Sequence, residues 1–298
     1  MTVIPGTTPV PKPDFVFMAP ISPAPSPSTT KPQANGPTPS PVPAPNQAGT
    51  QDDSTSTFSP RASLPLPTLR LEIRDLSHPG ATKFLTSTTV SSLLESAVQN
   101  IHQHLYPDAT THCPPTRSVT LILRTLDGVA YTTGIDLDPQ HHKEIHLSLQ
   151  YIASIPPYRA NHEITGVLTH ELVHCYQHNG QGTCPGGLIE GVADWVRLQC
   201  GLSPPHWKRE TKGKWDGGYQ HTAYFLEYLE GRFGAGTVRA INERLRGRKY
   251  EEKGFWTGLL GRPVEQLWED YVSHVHDDER AKEPGKARVH VVDEGTQT

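Results

Sequence analysis

Two histidines four residues apart, with a glutamate beside the first, stand in His170-Glu171-Leu172-Val173-His174. On a helix that spacing puts both imidazoles on one face, their Cβ atoms about 5–6 Å apart. Both rings then reach a single zinc ion at about 2.0–2.1 Å. Glu171 lies beside the metal, suited to take a proton from a water held there. The chemistry expected of such a set is metal-assisted hydrolysis. Ile164, Val167, Leu168, Leu172 and Val173 give the carrying helix an apolar side, which predicts its burial against a sheet.

A catalytic zinc takes a third protein ligand, and the position of that ligand separates classes of enzyme. The metzincin pattern of a glycine three residues past the second histidine and a third histidine three further on fails, because Gln177 and Gly180 hold those places. His178 would lie about 12 Å from His170 along a continuous helix. It is expected instead as a polar residue at the helix C-terminus. Cys175 points roughly 100° away from His174 and is no ligand. Glu190 and Asp194, in Gly186-Gly-Leu-Ile-Glu-Gly-Val-Ala-Asp-Trp195, share one helical face among apolar neighbours. Glu190 follows His174 by 16 residues, room for a reversing loop and a second helix packed on the first. His170, His174 and Glu190 are therefore the expected zinc ligands, with Asp194 holding the free ring nitrogen of a ligand histidine and fixing its tautomer. Tyr219 and His221, which open a helix after Trp215-Asp-Gly-Gly, are candidate donors to an oxyanion. Capping or packing is the alternative role for both.

Positioning these residues requires strands followed by helices. Leu69 to Arg74 alternates as a half-buried strand. Thr88 or Thr89 caps a helix through about Tyr106, its stripe formed by Val90, Leu93, Leu94, Ala97, Val98, Ile101 and Leu105. Strands are expected over 118–125, 129–133 and 144–152, the last with Ile145, Leu147, Leu149 and Tyr151 on one face. Helices are expected over about 161–178, 187–200, 218–232, 236–246 and 263–275. That order indicates an α+β domain.

Composition sets the limits of this domain. The chain has 298 residues, 29 prolines and a formal charge of −4. Seventeen of the prolines fall in residues 1–67, beside six charged residues, while all 16 histidines lie at or after His78. A segment so rich in proline cannot bury enough apolar surface to form a core. Residues 1–67 are expected to be a disordered tail, a spacer or a ligand for a partner domain. Residues 68–278 are the expected folded domain, and 279–298 a second polar tail. Residues 68–276 carry 20 basic and 22 acidic side chains, so no basic face offers itself to nucleic acid. No apolar run approaches the roughly 20 residues of a membrane span. The first residues lack both a basic start and an apolar stretch, which makes a cytoplasmic location the expectation, with unconventional secretion left open.

The stretch from Glu163 to Gly180 and that from Gly186 to Leu198 closely resemble the plant basic secretory protein family, which has bacterial and fungal members. The similarity covers about residues 69–276. It implies a zincin-like fold, a zinc peptidase of the gluzincin type acting on polypeptides, ligands at His170, His174 and Glu190, and Glu171 as catalytic base. An edge strand above the cleft would correspond to about 144–151, where an extended peptide could add as a further strand. Plant members carry a signal peptide and many are basic, so secretion is not carried over. Cys175 and Cys184 depart from the plant pattern and flank an eight-residue turn. Either they form a disulfide or, as the lack of a leader favours, all four cysteines are reduced. A zinc-stabilised binding or defence-related module without catalysis is the alternative function.

Overall fold

The computed structural model describes residues 64–107 and 111–282. The tail expectations for 1–63 and 283–298, partner docking included, lie outside the described residues.

The alternating segments form a four-stranded mixed sheet: β1 (Thr68–Ile73), β2 (Ser118–Arg124), β3 (Ala130–Gly134) and β4 (His142–Ser148). Its spatial order is β1-β2-β4-β3. The first three of these run parallel, and β3 is antiparallel to β4 with Thr132 opposite Ile145. The segment 144–151 is therefore not the edge strand expected, since β4 is paired on both sides and β3 takes that place. Nor does the strand run to Ile152. The Ser148 hydroxyl accepts from the Tyr151 N–H at 3.2 Å and caps α3 (Leu149–Ser154), so Leu149 and Tyr151 are helical. An N-cap bond here overrides the apolar alternation.

Helix α1 (Pro79–Ser87), unexpected from periodicity, starts with proline behind a His78 ring that accepts from the Gly80 N–H at 3.0 Å. Helix α2 (Val90–Leu105) buries the stripe anticipated for it except at its first residue, Val90, which is half-buried. Thr89 holds its cap position without a side-chain bond, while Thr88 Oγ1 donates back to the Phe84 carbonyl at the end of α1. After α3 the chain is helical: α4 (Ala160–His174), α5 (Gly186–Gln199), α6 (Tyr219–Phe233), α7 (Thr237–Arg244), α8 (Glu252–Leu260) and α9 (Val264–Lys282). Helix α8 was not anticipated, and α9 continues through residues 279–282 assigned to the tail. No helix among the described residues is long and apolar enough to cross a membrane.

Helix α4 stops at His174 rather than 178. Beyond Cys175 the chain turns, and the His178 N–H donates to Asn242 Oδ1 at 3.0 Å. Asn242 Nδ2 in turn donates to the Tyr106 hydroxyl at 2.8 Å. Partners on α7 and α2, far along the chain, set this end. His178 is thus not a helix-terminal residue; its Nε2 lies 3.0 Å from the His112 carbonyl oxygen. All four cysteines are free thiols, so Cys175 and Cys184 are not joined.

Helices α4 and α5 pack antiparallel through a buried ion pair. Arg197, wholly buried, donates from Nη2 to Glu163 Oε1 at 3.0 Å and from Nε to the Leu202 carbonyl at 3.0 Å. Glu163 also accepts from Arg159 at 2.6 Å and from the Tyr151 hydroxyl at 2.9 Å. Gly166 makes the approach possible: a Cβ there would stand 2.6 Å from Arg197 Nε. Glu163 lies seven residues before His170, and Arg197 seven after Glu190. Two helical turns, about 10 Å, separate the clamp from the candidate ligands on both helices.

Breaking this clamp should be costly, because a buried carboxylate loses one of its two guanidinium partners, the one that is itself wholly buried. Arg197→Met is expected to lower unfolding free energy by about 3 kcal/mol, read from urea denaturation. A loss below about 1 kcal/mol, within the range of an exposed pair, would mean that Arg159 and Tyr151 alone satisfy Glu163.

Candidate functional site

The α4–α5 register brings His170, His174 and Glu190 together, their donor atoms all within 4.8 Å of one another. The two Nε2 atoms are 3.1 Å apart. Glu190 Oε2 is 3.1 Å from His170 Nε2, and Glu190 Oε1 is 3.8 Å from His174 Nε2. Ligands at about 2.0–2.1 Å around a tetrahedral zinc stand about 3.3 Å from each other, close to these separations.

Proton demand in this cluster points the same way. His170 is wholly buried. Burial opposes its charge, yet Asp194 and Glu190 outweigh that and raise it to about 10. For His174, burial and the neighbouring His170 charge push it down to about 3. One proton thus serves two facing nitrogens, beside a carboxylate. A divalent cation in place of that proton would satisfy all three groups, so the residues present could hold a metal ion.

Asp194 sits where its spacing placed it. Its Oδ1 accepts from His170 Nδ1 at 2.7 Å, leaving Nε2 of that ring to face Glu190 and His174. His174 Nδ1 has no such partner among the described residues. Cys175 turns away, its thiol directed at the Glu171 carbonyl, with burial pushing it up to about 12.

Glu171 is buried at the foot of edge strand β3, where Thr132 Oγ1 donates to its Oε2 at 2.7 Å. The same hydroxyl is 2.9 Å from the Glu171 carbonyl oxygen. Burial raises the Glu171 carboxyl to about 7, against the lowering effect of the His170 charge and the Thr132 bond. Sequence reading missed Thr132. Its one signal, an inward place on the strand after Asp127-Gly128, is shared with any core threonine.

Tyr219 and His221 part company. The Tyr219 ring lies parallel to that of His170, centroids 6.2 Å apart at 15°. Its backbone, like that of Gly218 before it, is left-handed, with φ of +47° and +83°. Close packing supports this placement, since a Cβ on Gly191 of α5 would collide with the side chain of Thr222. His221 points elsewhere: its Nε2 is 2.7 Å from the Lys214 carbonyl oxygen, and its ring packs on Trp268 at 4.9 Å. Of its two expected roles, donor or packing residue, this geometry matches the second.

Comparison with known proteins adds the family. No curated protein and no solved structure matches the chain. The family model BSP, described as peptidase of plants and bacteria, matches residues 66–271. That match takes in the sheet, both helices of the cluster and Tyr219, and spans more than half of the chain. The protein therefore belongs to the basic secretory protein family, the peptidases of plants and bacteria.

Proposed function

We propose that the protein is a zinc-dependent peptidase of zincin-like fold, with His170, His174 and Glu190 as metal ligands and Glu171 as general base. The observation that carries this reading is the convergence of two imidazole nitrogens and a carboxylate on one point beside a second, buried glutamate. A bound zinc supplies Lewis acidity, polarising the scissile carbonyl and lowering the pKa of a water.

The chain's own residues account for the rest. Glu171 takes a proton from the attacking water as the new C–O bond forms, then returns it to the amine as the C–N bond breaks. A base near neutral pH suits both transfers. Thr132 fixes Oε2 and leaves Oε1 to face the water. Asp194 holds His170 in the tautomer a ligand needs. Tyr219 is the donor favoured for the oxyanion, because its strained backbone turns the ring toward His170. The terminal strand β3 offers an edge to which an extended polypeptide adds. A sheet edge above the helix that carries both histidines, with the third ligand on the next helix, supports the zincin-like assignment.

Metal analysis of the purified protein should find one zinc per chain, lost in His174→Ala. Asp194→Ala should weaken zinc affinity about 10–100-fold. Glu171→Gln should keep the zinc while casein turnover falls by about 10²–10⁴-fold. Zinc at full occupancy with no cleavage of any peptide pool would favour a binding module instead. Thr132→Val is expected to lower kcat about tenfold with KM unchanged. Thr132→Ser should restore it, and equal losses in both variants would remove Thr132 from the mechanism.

A further inference from the structure

His174 also forms part of the wall of a cavity of about 480 Å³, shared with Gln140, Lys143, Gln177, His178 and Asn179. That is ample for a substrate side chain or chain end. It lies between the start of β4 with the connection before it, which supply Lys143 and Gln140, and the turn after α4, which supplies Gln177 to Asn179.

Its charge is one-sided. Among the described residues, no aspartate or glutamate lines it. Lys143 Nζ donates to the Pro139 carbonyl at 2.5 Å and makes no ion pair among the described residues. An ammonium has three N–H donors, so two remain. The carboxylates nearby are committed: Asp138 to the His141 ring at 2.7 Å, and Glu243 to Arg246 at 2.7 Å and His112 at 2.8 Å. Burial lowers both His178 and Lys143, which marks their surroundings as partly shielded from water.

We propose that this cavity is a substrate subsite of the peptidase and that Lys143 makes it select a carboxylate. The inference rests on the peptidase reading and deepens it. The carboxylate comes from an aspartate or glutamate side chain of the substrate or from its C-terminus. A partly dehydrated ammonium with no carboxylate in ion-pair contact among the described residues favours either over the corresponding amide.

The test uses the full-length, zinc-loaded protein and peptide pairs that differ only in Glu against Gln at each position, with ends blocked, or only in a free against an amidated C-terminus. Two quantities are measured: kcat/KM for the wild type, and Kd for the Glu171→Gln variant. The acid member of at least one pair is expected to be preferred about tenfold or more. Preference within the blocked pairs marks a side chain, and preference only on amidation marks a C-terminus. Lys143→Met should abolish the preference and Lys143→Arg should keep it. Equal values for acid and amide in the wild type, or a preference that survives in Lys143→Met, would overturn the subsite. Failure to cleave any peptide would sink the peptidase reading alone, because the Kd comparison still decides whether Lys143 selects a carboxylate.

Discussion

The antiparallel register of α4 and α5 is the constraint on which the site depends. His170 and His174 come from one helix and Glu190 and Asp194 from the other, so a slide of one helical turn, about 5.4 Å, would disperse them. Apolar packing alone resists such a slide weakly, because leucine and valine surfaces tolerate several alignments. The Glu163–Arg197 pair does not. A buried charge without its partner costs several kcal/mol, and Gly166 leaves room for the guanidinium at a single level of the helix. The pair sits two turns from the proposed ligands on both helices, which makes it a ruler for the candidate metal site.

Burying so much polarity in α4 is otherwise unfavourable. His170, Glu171 and Glu163 are all buried within one 15-residue helix. Each has a designated partner: Asp194 for His170, Thr132 for Glu171, and Arg197 with Arg159 for Glu163. The partners come from three other parts of the fold, the edge strand, helix α5 and the turn before α4. Docking of α4 against each of them is therefore tied to the orientation of a buried polar group, two of them, His170 and Glu171, belonging to the candidate site. Within that helix, stability and function are not separable.

Around this centre the fold leaves two open features. The edge strand β3 stands over Glu171, bound to it through Thr132, so a peptide pairing with β3 would lie along the base. At the C-terminal end of α4 the helix gives way early, because Asn242 draws His178 toward α7. The turn thus formed makes one wall of the cavity that Lys143 faces. A longer α4 would have carried residues 175–178 onward along the helix axis, and the wall would be built differently.

Much of the site was legible in the sequence because helical spacing is short-range. His170 with His174 and Glu190 with Asp194 each lie one turn apart, and 3.6-residue periodicity alone sets each pair on a common face. The stripe of α2 and the extents of β1, β2 and β3 follow from periodicity in the same way. Residues joined by long-range contacts were not legible. Thr132 meets Glu171 from 39 positions away, and Arg197 meets Glu163 from 34. Nothing in either neighbourhood announces the other. The order β1-β2-β4-β3 likewise exchanged the edge expected at 144–151 for β3, since strand order depends on pairing between segments. Tyr219 and His221, two residues apart at a helix start, looked equivalent as donors. The left-handed turn at Gly218 and Tyr219 separated them, directing one ring to His170 and the other to Trp268. The sequence by itself determined which candidate groups share a helical face, because local backbone geometry decides that. Only the tertiary structure decided which partner holds each of them and which strand faces the cleft, because those depend on packing between segments distant along the chain.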